Sequence, residues 1–136
     1  MKKERQLQRN DLVYPELCYR LLGILFDVHN TIGYGYAEKT YQKAVAAALK
    51  DAGIEYIEQL YVPVEYKSVK VSSNYFDFLV QGKVILELKK GDRFAKTHID
   101  QLYQYLKARN LKLGILAYFG PNKLHYKRIL NLENDS

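Results

Sequence analysis

The chain has 136 residues, a formal net charge of +6 and a pI near 9.3. This length fits one domain, and 48% hydrophobic with 26% charged residues excludes a chain that is disordered throughout. The single cysteine, Cys18, excludes an intrachain disulfide and a zinc site built from several cysteines. The positive charge favours a polyanionic partner but does not identify one.

The N-terminal residues carry no pattern of export or membrane insertion. Residues 1–14 are polar and basic, and we expect them to lead into a single domain at residues 15–132. No apolar run follows them as it would in a signal peptide, and no segment approaches the ~18 continuous apolar residues of a membrane span. We therefore expect a cytoplasmic protein without a membrane partner.

Two amphipathic helices are predicted at the start of the domain. Pro15 suits the first turn of a helix, and apolar residues then recur at helical spacing until Gly33. A second helix is predicted from Ala37 to Ala52, with Gly53 as its C-terminal cap.

The repeat of apolar residues then changes to the period of two that is typical of strands. Residues 54–71 alternate as one strand, and Pro63 indicates an edge or a bend. Residues 74–90 indicate two strands joined at Gln81-Gly82. A helix at about 97–109, the apolar strand "LKLGILAYFG" and a weaker strand "KLHYKRIL" follow. This order predicts an α/β sandwich whose last helix crosses between neighbouring strands.

The predicted strand "VILELKK" carries two charged residues inside an apolar run. Its period of two places Leu86 and Leu88 on one face of the sheet. Glu87 and Lys89 then share the opposite face with Ile85. An ordinary ion pair on a solvated face is the structural alternative for the two charged residues.

A second acidic residue, Asp77, lies on the neighbouring predicted strand. With the turn at Gln81-Gly82, strand pairing places Asp77 near Leu86 and Glu87, although a shift of one residue would change the face. Two close carboxylates repel each other, and a divalent cation removes that conflict. Mg²⁺ prefers oxygen ligands and keeps waters for phosphate oxygens, and a nearby lysine steadies a developing charge. The pattern is one that suits metal-assisted phosphodiester hydrolysis.

These residues resemble a known family. Asp77 followed by "ELK" at residues 87–89 resembles the core signature of the PD-(D/E)XK nuclease superfamily. The stretch "GYAEKTY" at residues 35–41 is similar to the motif of the GxxExxY proteins, a branch of that superfamily, and Gln101 and Tyr105 follow in the family's order. The resemblance covers nearly the whole chain. It implies a restriction-endonuclease-like αβ sandwich with a mixed central sheet flanked by helices.

The resemblance also implies a role for each matching residue. The implied catalytic set is Glu38, Asp77, Glu87, Lys89 and Gln101. Asp77 and Glu87 would be the main metal ligands, with Glu38 and the Leu88 carbonyl as further oxygen donors. Lys89 would orient or activate the attacking water, and Gln101 would position that lysine or the nucleophile. The implied cofactor is Mg²⁺, with Mn²⁺ as a substitute.

The chain departs from the superfamily pattern just before Asp77. Phe76 stands in the place of the proline that gives the superfamily its name, and Asn74 and Tyr75 stand where relatives carry basic residues. A basic group follows the key strand instead. We expect nucleic-acid contacts from Lys90, Arg93, Lys96 and His98, with a solvated loop as the alternative.

The expected function is therefore Mg²⁺-dependent hydrolysis of phosphodiester bonds by an endonuclease or exonuclease, on DNA in preference to RNA. The alternative is a catalytically silent module on the same fold that binds nucleic acid or a protein. A homodimer or a partner protein stays open at this stage.

Overall fold

A computed structural model describes residues 13–133 of the chain. Most of the expected lead-in, residues 1–12, lies outside the described residues, as do residues 134–136. Val13, which the sequence assigned to the lead-in, is 9% exposed and belongs to the core. In the described part of the chain, no helix is long and apolar enough to cross a membrane.

Three helices and five strands make up the described residues. In chain order they are α1 Pro15–Ile32, α2 Glu38–Asp51, β1 Tyr56–Tyr66, β2 Val69–Val80, β3 Val84–Lys90, α3 Lys96–Arg109, β4 Leu113–Phe119 and β5 Leu124–Leu130. The strands form one sheet in the order β1-β2-β3-β4-β5. Strands β3 and β4 are parallel and are connected through α3, whereas the other neighbours are antiparallel. This architecture confirms the predicted αβ sandwich with a mixed central sheet.

The helix ends follow local sequence signals. Helix α1 begins at Pro15 and ends before Gly33, whose φ of 81° is a conformation that side chains rarely adopt. Helix α2 ends in a Schellman-type turn. The Ile54 amide donates to the Leu49 carbonyl at 3.0 Å, and Gly53 takes a φ of 71°.

The prediction of one strand over residues 54–71 is wrong at its C-terminal end. Strand β1 stops at Tyr66, and β2 begins at Val69 after a tight turn at Lys67-Ser68. Both turn residues have positive φ, 49° and 69°, as the common two-residue hairpin turn requires. Since Lys-Ser lacks the glycine or asparagine that usually marks such a turn, the alternating pattern runs through it unbroken. Pro63 does lie on an edge strand, as expected.

The sheet separates two apolar cores, one against α1 and α2 and the other against α3. Leu86 and Leu88 belong to the first core, and Ile85 belongs to the second. The predicted alternation along β3 is therefore observed. Glu87 and Lys89 share the face of β3 that is directed towards α3.

The hairpin of β1 and β2 changes its packing partner in the middle. Phe78 belongs to the core with α1 and α2, but Phe76, two residues earlier, belongs to the core with α3. Gln59, on the opposite strand, has a φ of 52° and is skipped in the pairing of β1 with β2. The outer half of the hairpin consequently packs on α3, where the Tyr105 hydroxyl donates to the Val62 carbonyl at 3.0 Å.

Candidate active site

Asp77 and Glu87 meet at the point where β2 separates from β3. The backbone pairing of these strands ends at Phe78 with Leu86. Beyond this pair, hydrogen bonds from backbone amides to carboxylate side chains link the two strands. The Asp77 amide donates to Glu87 Oε1 at 2.9 Å, and the Leu88 amide donates to Asp77 Oδ2 at 2.7 Å. The two carboxylates are thus held in place by the backbone of the opposite strand.

The observed register differs by one residue from the predicted one. The turn forms at Gln81-Gly82, where both residues have positive φ, but Val80 pairs with Val84 because Lys83 stays in the turn. Continued along the strands, this register sets Asp77 against Glu87. The shift therefore brings the carboxylates together more directly than the sequence indicated.

Lys89 and Glu38 extend the site along the end of β3. Lys89 Nζ lies 3.5 Å from Glu87 Oε2, and both side chains are largely shielded from solvent. Glu38, in the first turn of α2, accepts a hydrogen bond from the Lys90 amide at 3.2 Å. Three of the predicted catalytic residues, Asp77, Glu87 and Lys89, are therefore in contact, and Glu38 is bound one residue further along the strand.

Burial makes the charged forms of the two carboxylates unfavourable. Desolvation, followed by repulsion from Asp77, raises the pKa of Glu87 to about 8, and Lys89 acts in the opposite direction. Burial also raises the pKa of Asp77 above its usual range, and the hydrogen bond from the Leu88 amide opposes the shift. One lysine does not compensate this pair, so the site favours an added positive charge.

The donor chemistry fits a hard divalent cation. Carboxylate and carbonyl oxygens are the ligands that Mg²⁺ and Mn²⁺ prefer, and two adjacent half-buried carboxylates gain from a cation between them. Within residues 13–133, no group of three or more acidic, histidine or cysteine side chains is arranged to hold a metal ion. The fit therefore rests on Asp77 and Glu87, with the remaining positions open to water or substrate.

A tyrosine that the sequence analysis missed lies next to Lys89. Tyr118 pairs with Lys89 across the parallel strands β3 and β4 and is 3% exposed. Its hydroxyl is hydrogen-bonded to His98 Nδ1. Burial, and then the charge of Lys89, lowers the pKa of His98, while Glu38 acts in the opposite sense. A polar-tipped side chain in the otherwise apolar "LGILAYF" was the available sequence signal for Tyr118.

The remaining predicted residues surround this centre less closely. Gln101 lies on α3, one turn after His98, and lines a groove of about 310 Å³ with Asn74 and Tyr105. Lys90 and Arg93 are exposed, and Lys90 Nζ lies 5.7 Å from the centroid of the Tyr34 ring. Lys96 Nζ is paired with Asp100 at 2.8 Å.

An open cleft of about 480 Å³ borders the acidic residues. It is lined by Glu38, Lys39, Gln42, Lys43, Glu58, Gln59 and Asp77. Gln42 donates to Glu58 across this cleft at 3.2 Å, which joins α2 to β1. The cleft gives an extended substrate access to Asp77 from solvent.

The chain belongs to the PD-(D/E)XK nuclease superfamily, whose sequence profile matches residues 15–129. That range contains the whole site described above. Members of this superfamily generally use divalent metal ions. No curated protein matches the chain significantly.

Two solved structures share the fold. The crystal structure of the protein SSO0001 is similar with a TM-score of 0.54 and 21% identity, over 68% of this chain and 49% of that chain. An alkaline exonuclease from Laribacter hongkongensis, LHK-Exo, is similar with a TM-score of 0.50 and 14% identity, over 93% of this chain and 69% of that one. The chain spans about half the length of SSO0001. Together the two structures confirm the restriction-endonuclease-like fold class.

Proposed function

We propose that the protein is a Mg²⁺-dependent nuclease of the GxxExxY branch that hydrolyses phosphodiester bonds, in DNA rather than RNA. The observation that carries the proposal is the meeting of Asp77 and Glu87 beside Lys89, at the point where β2 leaves β3. Two half-buried carboxylates next to a lysine are costly for a fold unless a ligand compensates them.

Each residue has a role that follows from its position. Asp77 and Glu87 would hold the cation, with Glu38 and the Leu88 carbonyl as further donors. When bound, a divalent cation supplies charge neutralisation at the scissile phosphate and lowers the pKa of a bound water. Lys89, 3.5 Å from Glu87, would orient the attacking water and stabilise the charge that develops on the phosphate.

Residues around the acidic pair would position this machinery. His98 and Tyr118 are hydrogen-bonded to each other, and Tyr118 is paired with Lys89 across β3 and β4. Gln101, one turn after His98 on α3, would contact the lysine or the nucleophile when substrate is bound. Lys90 and Arg93, which are exposed beyond β3, would contact the phosphate backbone.

The direct test is cleavage of supercoiled plasmid with Mg²⁺ or Mn²⁺. Cleavage of a single-stranded DNA and of a single-stranded RNA of the same length is measured beside it. The wild type should nick DNA, and Asp77→Asn, which keeps an oxygen acceptor for the Leu88 amide, should not. Asp100→Asn, a change of an exposed carboxylate, is the matched control and should cleave normally. Activity that persists with excess EDTA, or that survives Asp77→Asn, would contradict the proposal.

One observation favours a second function, a binding module without catalysis. Both carboxylates already accept hydrogen bonds from strand amides, so they also brace the separation of β2 from β3. In that case the protein would bind nucleic acid without divalent ions, and Asp77→Asn would lower stability without changing affinity.

A further inference from the structure

The outer half of the β1–β2 hairpin presents aromatic side chains to solvent. Tyr61 and Tyr75 are directly paired across the strands, with ring centroids 5.2 Å apart, and are 40% and 59% exposed. Their neighbours on the other face, among them Leu60 and Phe76, are buried against α3. The tyrosine pair therefore rests on a packed support while its own face is free for contact.

Lysines accompany these rings. Lys70 Nζ lies 5.6 Å from the centroid of the Tyr61 ring, and its hydrogen bond and charge lower the pKa of Tyr61. At the hairpin turn, Lys67 Nζ lies 5.3 Å from the centroid of the Tyr66 ring. Aromatic faces alternating with ammonium groups are the combination that binds unpaired nucleic-acid strands.

The tyrosine pair continues directly from the candidate active site. Tyr75 lies two residues before Asp77 on β2, a separation of about 7 Å along a strand. Tyr61 lies two residues after Gln59, which lines the same cleft as Glu38 and Asp77. A nucleic-acid strand that reaches Asp77 through this cleft therefore passes within one or two nucleotides of both tyrosine rings.

We propose that Tyr61, Tyr75 and Lys70 form a stacking subsite for an unpaired nucleic-acid strand that extends from the candidate active site. The inference rests on the proposed function for the identity of the substrate, and it adds the strand form that is recognised. Base faces are available in a single strand but are covered by stacking in a duplex. The subsite thus favours single-stranded or frayed substrate over intact duplex.

A protein partner is the competing occupant, because Val69 and Val71 at the same end of the hairpin are 61% and 60% exposed. Nucleic acid is favoured by two observations. Lysines flank the rings, and the rings lie next to the carboxylates rather than at a distant patch. The chain's net charge of +6 acts in the same direction.

The test is binding of a fluorescein-labelled 15-nucleotide oligo-dT and of a blunt duplex of equal length, measured by fluorescence anisotropy in EDTA. Tyr61→Leu/Tyr75→Leu keeps apolar bulk on the strands but removes the π-faces, and Tyr61→Phe/Tyr75→Phe keeps them. We expect the leucine pair to weaken oligo-dT binding roughly 10- to 100-fold. The phenylalanine pair should stay within about twofold of the wild type, and so should Tyr19→Leu, a more exposed tyrosine on α1.

Lys70→Gln provides a second variant that does not depend on the fold of the leucine pair. It should reduce the slope of log affinity against log salt by about 0.7 for the single strand. An unchanged slope together with unchanged affinity of the leucine pair would overturn the subsite. If light scattering shows a dimeric wild type but a monomeric leucine pair, with unchanged oligo-dT binding, the face belongs to a protein interface and the subsite is also overturned.

The outcome is separable from that of the proposed function. Asp77→Asn should retain binding that depends on the tyrosines while it loses cleavage. Binding through the tyrosines by a wild type that never cleaves would support the subsite and contradict the nuclease proposal. If the wild type cleaves normally and the variant Tyr61→Leu/Tyr75→Leu binds oligo-dT as tightly as the wild type, only the subsite is contradicted.

Discussion

The acidic pair, Asp77 and Glu87, and the basic loop, defined as residues 90–96 from the end of β3 to the first residue of α3, lie close together in sequence but differ in how the fold holds them. Asp77 and Glu87 are shielded from solvent, and their oxygens are bound by amides of the opposite strand. Arg93 and Lys96 follow the end of β3 and are exposed, and the Lys96 side chain, 87% exposed, is bound to Asp100 on its own helix.

This difference indicates where substitutions act strongly. Burying a carboxylate beside another is unfavourable, so its geometry and protonation respond to small changes. Exposed charges contribute little to stability and act on a polyanion additively. We therefore expect large, all-or-none effects at the end of β3 and gradual effects in the loop that follows.

The largest contrast is expected between two lysines. Lys89→Gln should lower the rate of DNA cleavage at least ~100-fold, because it removes the charge that lies 3.5 Å from Glu87. Lys96→Gln removes an exposed lysine and should change the rate less than about twofold. Initial rates of plasmid nicking under single-turnover conditions measure both. Equal losses of cleavage rate in Lys89→Gln and Lys96→Gln would contradict the expectation that the acidic site is more sensitive to substitution than the basic loop.

The protonation of Glu87 should appear in the stability of the metal-free protein. Its pKa is about 8 in the folded chain against an ordinary value of 4.5, so between these values the folded state holds a proton that the unfolded state has lost. Stability should therefore fall as pH rises from 5 to 9, by about 4 kcal/mol from this group. Urea unfolding in EDTA measures the dependence.

Glu87→Gln should flatten that part of the pH dependence, because glutamine does not titrate. Glu58→Gln, a change at the exposed acceptor of the Gln42 bond, is the control and should retain it. A wild type whose stability increases over the same pH range, or a Glu87→Gln variant with the wild-type slope, would show that burial does not raise the pKa of Glu87.

A smaller effect is expected at Glu38. Glu38→Gln should reduce cleavage about tenfold, because the side chain lies at the margin of the acidic pair and is bound to the Lys90 amide. Glu16 occupies the first turn of α1 as Glu38 occupies that of α2, so Glu16→Gln controls for the helix-dipole contribution. Both variants should lose a similar, small amount of stability, and only Glu38→Gln should lose activity. Comparable cleavage by the two variants would exclude Glu38 from the site.

The smallest effect is expected in the basic loop. Arg93→Gln should weaken duplex DNA binding a few-fold and reduce the slope of log affinity against log salt by about 0.9, the value for one phosphate contact. Lys96→Gln should change the slope less, because its ammonium group is already paired with Asp100. Titrations at several salt concentrations compare them. An Arg93→Gln slope equal to that of the wild type would assign Arg93 to solvent.

Much of the fold follows from local sequence signals. Pro15, Gly33 and Gly53 mark helix ends because their backbone conformations are restricted or unusually free. The change of period from helical spacing to alternation locates the strands. The turn at Lys67-Ser68 was missed because neither residue type signals a positive φ, and only the pairing of β1 with β2 enforces it.

The site was predictable in its members more than in its geometry. Asp77, Glu87 and Lys89 could be selected because a charged side chain within an apolar strand is unfavourable unless it is paired or binds a ligand. Their exact pairing depends on Lys83 staying in the turn, and the opening of the strands depends on the unpaired Gln59 opposite Asp77. Such long-range geometry leaves no local pattern. The hydroxyl of Tyr118 was its one sequence signal, and it was overlooked because tyrosine is also common as a core residue.

The central claim is that Asp77 and Glu87 together hold a divalent cation, and isothermal calorimetry with Mg²⁺ and Mn²⁺ tests it most directly. The wild type should bind one ion per site with a dissociation constant in the millimolar range or below, and Asp77→Asn and Glu87→Gln should each abolish the heat of binding while remaining folded. No binding by the wild type at millimolar concentrations, or equal binding by Asp77→Asn, would contradict the account.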